Sequence, residues 1–272
     1  MIELLKYDFF QNALAGTILI GISCGLVGTY IVAKRMVFIS GGIAHTSFGG
    51  LGVSYYLGLP PTLGATVFSL FAALGILFLA DNKKLREDSL IGIFWSAGMA
   101  IGILFIYLTP GYAPNLMSYL FGNILTVTRS QLILSLVLCL LIIIFFSRFA
   151  RPLFYIAFDK EYSKTHNVHV NIIDVAATVI IALCIVLCLK LAGIILVISY
   201  LTIPQAIAGI FYKNFIQQLT ASAVISTAGS IAGLFISTSL NIPSGTAIVL
   251  CFLLMFLGGW GIRRKFIKFV KL

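Results

Sequence analysis

Residues 130–147 read SQLILSLVLCLLIIIFFS, an apolar run without a single charge that is bounded by Arg129 and Arg148. A charge-free run of about 18 residues is typical of a helix that crosses a lipid bilayer. Similar runs recur along the chain and define nine hydrophobic segments, at 9–33, 36–58, 60–80, 90–109, 130–147, 172–190, 193–211, 219–240 and 245–262. We therefore predict an all-α, polytopic transmembrane helical bundle.

Two of these segments leave the number of spans open. Ser40, Gly41 and Gly42 interrupt the segment at 36–58, and Ala192-Gly193 predicts a very tight turn directly before the segment at 193–211. If one segment is re-entrant, eight spans remain in place of nine. The sequence has no internal repeat and no loop long enough to fold alone, so residues 1–272 are predicted to form a single transmembrane domain.

The composition excludes a soluble globular protein. Of the 272 residues, 60% are hydrophobic and 10% are charged, with a mean hydropathy of +1.10, whereas about 25% of residues are charged in an ordinary soluble domain. The net charge of +10 is explained by orientation, because 15 of the 18 lysines and arginines are cytoplasmic if the N-terminus is outside. We expect a multi-pass protein of the cell membrane with a cytoplasmic C-terminus and no nucleic-acid partner.

The source of energy is constrained by two absences in the sequence. No G-x-x-x-x-G-K-[ST] phosphate loop occurs, which excludes ATP binding by that route. Gradient-driven carriers usually have acids within their spans, and here Asp174 alone touches a segment, two positions from its cytoplasmic end. An acid in that position is interpreted as a favourable partner of a helix N-terminus. The chain is therefore expected to be a transport subunit and not an enzyme.

The sharpest candidate for a functional residue is His45, an ionisable side chain about halfway across its segment. At helical spacing Gly42, His45, Gly49 and Gly52 share one face, which either packs closely on a neighbouring helix or lines a passage. One interpretation is a packed histidine bonded to a backbone carbonyl. The other is a metal ligand or a residue on a transport pathway.

The predicted cytoplasmic loop at 151–171 mixes aromatic and charged residues. A short amphipathic helix of this kind suits docking against a soluble partner, and an interfacial helix lying on lipid is the alternative. His166 and His169 in this loop stand three residues apart and could share a metal ion. We interpret them as part of a solvated basic face.

Five stretches of the sequence form an ordered set of motifs, namely AKRMVFISGGIAHTSFGGLG, EDSLIGIFWSAGMAIGI, AFDKEYSKTHNVHVNIIDV, LAGIILVISYLTIPQAIAG and NIPSGTAIVL. In this order they resemble the permease subunits of zinc, manganese and iron ABC importers, the ZnuB- and MntB-like proteins, and the likeness covers nearly the whole chain. The resemblance implies a fold like that of type II ABC importers and a homodimer. It also implies an extracytoplasmic metal-binding protein that delivers the ion and an ABC ATPase subunit docked below the membrane.

The resemblance also assigns roles to individual residues. Asp159, Glu161 and Tyr162 match the loop that couples to the ATPase, and His45 matches the pathway histidine. The family commonly has an aspartate four residues before that histidine, where this chain has Gly41. The ion is then met by His45 with Ser40, Ser47 or water, or it passes with little coordination.

The transported cargo follows from the same comparison. No tightly bound cofactor is expected, and the transported ion is Zn²⁺ or Mn²⁺, with zinc favoured because a site without a carboxylate is poor for hard Mn²⁺. The alternatives are an ABC permease for an iron chelate or another small cargo, and a gradient-driven carrier that works alone.

Overall fold

A computed structural model describes residues 6–80, 85–110, 122, 124–165 and 169–270. The described residues form helices joined by short connections, with no strand among them. A short 3₁₀ turn occupies Ile124–Thr126. The α-helices are α1 (Asp8–Ala33), α2 (Val37–Tyr56), α3 (Pro61–Ala80), α4 (Glu87–Leu108), α5 (Arg129–Phe158), α6 (Lys160–Thr165), α7 (Val170–Ala192), α8 (Ile194–Tyr200), α9 (Ile203–Phe211), α10 (Phe215–Leu240) and α11 (Ser244–Val270).

Eight helical stretches within the described residues are long and apolar enough to cross a membrane. They are α1, α3, α4, α5, α7, the α8–α9 pair, α10 and α11. Helix α2 is as long as α3 but carries five glycines, three serines and His45, which lower its hydropathy. The predicted all-α bundle of eight or nine spans is confirmed.

Three of the predicted segments differ from the helices of the structure. Helix α2 runs unbroken through Ser40, Gly41 and Gly42, because its small residues are buried against neighbouring helices. Helix α5 continues to Phe158, beyond the end predicted at residue 147, with a kink at Phe149 ahead of Pro152. The segment at 193–211 is divided into α8 and α9.

The tight turn predicted at Ala192-Gly193 is present. Helix α7 ends at Ala192, α8 begins at Ile194, and Gly193 alone connects them with φ 81° and ψ 167°. Side-chain-bearing residues hardly enter this conformation, so glycine is what makes a one-residue connection possible here.

The described chain forms two compact units. The first contains Met1–Ala33, Asn123–Ala150 and Ile198–Leu272. In this unit α1 packs directly on α10, and a Cβ atom added at Gly21 would come within 2.8 Å of the Thr227 Cα atom. Gln205 of α9 donates hydrogen bonds from Nε2 to the carbonyls of Cys24 (3.0 Å) and Tyr200 (3.1 Å).

The second unit contains Lys34–Gly122 and Arg151–Val197. Its central helix is α2, which packs against both α3 and α4, while α7 packs against α3. The approach of α2 to α3 is close because Gly50 faces Gly64, where neither helix has room for a Cβ atom. Small residues permit such close helix packing within a bilayer. The predicted single domain over residues 1–272 stays a prediction.

Candidate functional site

His45 projects from the middle of α2 towards α4. Its half-buried ring stacks on the ring of Trp95, with centroids 4.2 Å apart and planes 13° apart. Its Nδ1 atom lies 3.4 Å from the Met99 sulfur. Trp95 and Met99 are one helical turn apart on α4, so one face of α4 supplies both contacts.

The glycines on the His45 face of α2 form the contact with α4. A Cβ atom at Gly49 would lie 2.7 Å from the Gly98 carbonyl oxygen, and one at Gly42 would lie 2.7 Å from the Ile91 side chain. Next to His45, the Thr46 hydroxyl lies 2.7 Å from the Gly42 carbonyl and 2.9 Å from the Phe94 carbonyl of α4. These contacts hold α2 against α4 at the level of the imidazole.

The packing interpretation of His45 required a backbone carbonyl as partner for the ring. In the structure the partner of Nδ1 is a thioether sulfur and the ring face is covered by an indole. Imidazole nitrogen and thioether sulfur are both ligands for transition metals, and they suit softer ions than carboxylates do. The pair can therefore contact a transition metal ion, with Trp95 holding the orientation of the imidazole.

Ser40 and Ser47 are not brought together with His45. A helix turns by about 100° per residue, so the two serines lie about 140° and 160° around α2 from the histidine. Both are fully buried, and their hydroxyls donate to the carbonyls of Val37 (2.7 Å) and Ala44 (2.5 Å), respectively. On this unbroken helix neither serine is a neighbour of the imidazole.

The described part of the chain contains no group of three His, Cys, Asp or Glu side chains that could hold a metal ion. Near His45 the donors are one imidazole nitrogen and one thioether sulfur. Such a pair leaves most of the coordination shell of a divalent ion to water or to other groups. These two donors alone suit weak, reversible contact with an ion more than tight binding.

The predicted coupling loop contains the end of α5 and the short helix α6. Asp159 precedes α6 and its carboxylate Oδ1 accepts a hydrogen bond from the Tyr162 backbone N–H at 2.9 Å, which is an N-cap. The Ser163 hydroxyl donates to the Asp159 carbonyl at 2.7 Å. Asp159 thus fixes the start of α6.

Beside this cap the surface is aromatic. Tyr155, Phe158 and Tyr162 are 41%, 66% and 50% exposed, and Glu161 is exposed next to them. We call Tyr155, Phe158, Glu161 and Tyr162 the α6 surface. Exposed aromatic side chains around a short helix are typical of a protein-docking site. His169 is exposed at the start of α7, whereas His166 lies outside the described residues.

Sequence reasoning did not find Trp95 and Met99 as neighbours of His45. Both residues lie in the stretch EDSLIGIFWSAGM, and their spacing of four places them on one helix face. That spacing is the only signal that they act together. Their contact with His45 depends on the pairing of α2 with α4, which the sequence does not state.

Comparison with known proteins identifies the family of this chain. The sequence profile of the ABC 3 transport family matches residues 6–262. The chain belongs to the ABC 3 transport family. It is 42% identical to an uncharacterized membrane protein of Synechocystis sp. over 97% of this chain and 94% of the relative. It is 32% identical to the manganese transport system membrane protein MntC of Halalkalibacterium halodurans, over 91% and 85% of the two chains.

A solved structure shares both the fold and part of the sequence. PsaBC from Streptococcus pneumoniae, solved in complex with Fab, superposes with a TM-score of 0.83 at 31% identity, over 95% of this chain and 94% of that chain. The resemblance to the permeases of metal-ion ABC importers is thereby confirmed. The chain is a multi-pass membrane transport subunit of this family, and ATP hydrolysis belongs to a separate partner chain. The predicted preference for zinc receives no support from these relatives.

Proposed function

We propose that this member of the ABC 3 transport family is the permease of an ATP-driven importer of divalent transition metal ions, with His45 on the ion pathway. The observation that carries the proposal is the placement of His45 at mid-helix, stacked on Trp95 and 3.4 Å from the Met99 sulfur. An ionisable residue in the middle of a membrane helix is by default a functional residue. Membership of the family supports the transport role.

Two cargoes compete. Manganese is favoured by the name of the MntC relative. Zinc is favoured by the donors themselves, because Mn²⁺ prefers oxygen ligands while imidazole and thioether suit softer ions. Gly41 supplies no carboxylate on the turn before His45. We propose zinc as the preferred cargo and keep manganese as the alternative that the experiment must exclude. No tightly bound cofactor is part of the proposal.

The partners follow from the family and from the α6 surface. An ABC ATPase subunit docks on Tyr155, Phe158, Glu161 and Tyr162, with Asp159 holding α6 in place. An extracytoplasmic metal-binding protein delivers the ion on the other side of the membrane. The permease acts as a homodimer, so that the assembly contains two copies of the His45 and Met99 donor pair. The distribution of basic residues supports an extracytoplasmic N-terminus and a cytoplasmic C-terminus. Termini on opposite sides need an odd number of spans, so in this proposal the 20-residue helix α2 crosses the membrane as the ninth span.

The test separates a ligand from a packing residue. Permease, ATPase and binding protein are reconstituted in liposomes, and ATP hydrolysis and metal uptake are measured with Zn²⁺, Mn²⁺ and Fe²⁺. His45→Phe preserves a flat ring against Trp95 and removes the nitrogen. We expect this variant to fold and to lose metal-dependent transport. Transport at the wild-type rate in His45→Phe would assign the histidine to packing.

Met99→Leu tests the choice of ion. It removes the sulfur at nearly constant volume, and Met255→Leu in the other unit is the matched control. We expect Met99→Leu to reduce Zn²⁺ transport more than Mn²⁺ transport, while the control changes neither. A wild-type transporter that is stimulated by Mn²⁺ and not by Zn²⁺ would overturn the zinc preference, whereas the proposal of a metal-ion importer would stand.

A further inference from the structure

Asp174 is a buried carboxylate that the ion pathway does not use. Its side chain is 2% exposed, and its two oxygens face different ammonium groups. The Lys34 Nζ atom lies 2.7 Å from Oδ1, and the Lys160 Nζ atom lies 3.3 Å from Oδ2. The interpretation of Asp174 as a partner of the helix N-terminus is wrong, because α7 begins at Val170 and the acid lies in its second turn, beyond the turn in which the helix dipole acts. The buried charge instead pairs with two lysines from distant parts of the chain.

The three residues come from three elements of one compact unit. Lys34 lies in the connection that leads into α2, Lys160 is the first residue of α6, and Asp174 is in the second turn of α7. The Asp174 carboxylate thus connects α6 to the start of α2, the helix that carries His45. Helix α6 has only six residues. A helix this short depends on contacts with its surroundings to keep its position.

The burial of Asp174 makes its ion pairs with Lys34 and Lys160 more important than pairs at the surface. A buried carboxylate is costly unless cations pair with it in good geometry, and removing one partner leaves the others uncompensated. The two lysines are largely covered, at 17% and 23% exposed, so solvent and salt screen their attraction to the carboxylate less than at the surface. The Arg86–Asp88 pair provides a contrast, because its side chains are 85% and 73% exposed at 3.6 Å. Such a surface pair contributes little.

We propose that Asp174 is a positioning residue that transmits displacement of α6 to the start of α2, and so couples the ATPase to the ion pathway. This inference rests on the proposed function in one respect, namely that α6 receives the ATPase. Lys160 and Lys34 are the two ends of the connection. The residue does not contact the ion and acts through the two lysines.

The first measurement concerns the connection alone and needs no metal ion. Spin labels are attached to cysteines at the exposed positions Phe38 and Glu161, and the distance between them is measured in the full-length permease. We expect one narrow distribution in the parent, and a broadened one in Asp174→Asn and in Lys160→Met. Asp88→Asn, an identical change in an exposed pair, is the matched control and keeps the narrow distribution.

The second measurement concerns coupling. In the reconstituted transporter we expect Asp174→Asn and Lys160→Met to retain metal-independent ATP hydrolysis. The metal-stimulated fraction falls by about fivefold or more, the lower end of typical coupling between sites. If Asp174→Asn does not fold, Lys160→Met still tests the connection, because it removes a partly exposed cation and keeps the carboxylate paired with Lys34.

The outcomes distinguish this inference from the proposed function. A narrow distance distribution in both variants overturns it, and so does an unchanged metal-stimulated fraction. A loss of stimulation that only follows a proportional loss of folded protein and of metal-independent hydrolysis assigns Asp174 to stability and overturns it as well. If no metal stimulates the wild type, the proposed cargo fails, and the distance measurement still decides whether Asp174 connects α6 to α2.

Discussion

Replacing Gly49 by alanine tests whether the close contact of α2 and α4 is what holds His45 in place. The added Cβ atom would lie 2.7 Å from the Gly98 carbonyl oxygen and 3.2 Å from the Gly98 Cα atom. Ordinary van der Waals contact begins at 3.4 Å, so the two helices must separate by about 0.7 Å. The obstacle is backbone, which cannot rotate away as a side chain can.

The expected cost follows from overpacking. Inserting a methyl group into a closely packed core costs about 1–3 kcal/mol. Gly92→Ala on α4 is the matched control, because nothing lies within 4 Å of a Cβ atom there. Alanine in an open helical position is favoured over glycine by about 0.5–1 kcal/mol. The two variants are therefore expected to shift stability in opposite directions.

The assay is unfolding of the purified permease in detergent, followed by metal-dependent ATP hydrolysis in the reconstituted transporter. Gly49→Ala should unfold at lower temperature and should lose transport, because separation of the helices moves the imidazole away from Trp95 and Met99. Gly92→Ala should equal or exceed the parent in stability and transport normally. Equal stability of the two variants would refute the argument that backbone contact sets the spacing of α2 and α4.

Three further substitutions have defined outcomes. Asp159→Ala removes the cap of α6 and should cost about 1 kcal/mol of local helix stability, seen as faster amide exchange in α6 with the rest of the chain unchanged; equal exchange would show that the cap is dispensable. Phe158→Ser should weaken ATPase binding about tenfold in a titration, because it removes an interface aromatic side chain. Tyr107→Ser is the control, since Tyr107 is exposed at the far end of α4, and it should leave ATPase binding unchanged. A similar effect of both substitutions would show that the α6 surface is not the docking site. Gly193→Ala places a side chain at φ 81°, a conformation that only glycine adopts readily, and should lower the free energy of unfolding by about 1–3 kcal/mol. Gly258→Ala is the control and should not lower it, because no atom lies within 4 Å of a Cβ atom at that position.

The helical spans were predictable because each depends on a property that the sequence carries locally. An apolar run near 20 residues without charge is sufficient to mark a membrane helix, and the structure has helices at each predicted segment. The continuity of α2 was harder to predict. Gly41 and Gly42 weaken a helix in isolation, but here they are buried against neighbouring helices, and tertiary packing outweighs helix propensity.

The candidate site was predictable only in part, for two different reasons. The choice of Ser40 and Ser47 could have been avoided from the sequence, because offsets of five and two residues from His45 point away from its face at about 100° per residue. The contribution of Met99 could not have been derived in this way. It requires knowing that α2 packs on α4 in a register that places a sulfur 3.4 Å from the imidazole.

The weak donor set at His45 agrees with the proposal of an ATP-driven importer, in which ion capture, energy supply and passage belong to different chains. When a separate binding protein captures the ion and a separate ATPase supplies the energy, affinity within the membrane only slows release. In the proposed importer, one imidazole and one thioether per chain, with no carboxylate at Gly41, would give an ion a brief contact at His45 and not a tight binding site. In such a protein, transport depends less on tight ion binding than on the positions of α2, α4 and α6 relative to one another. The glycine contacts of α2 keep the imidazole against α4, and the role that we propose for Asp174 is to keep α6 at the start of α2, so that movement of α6 reaches the histidine.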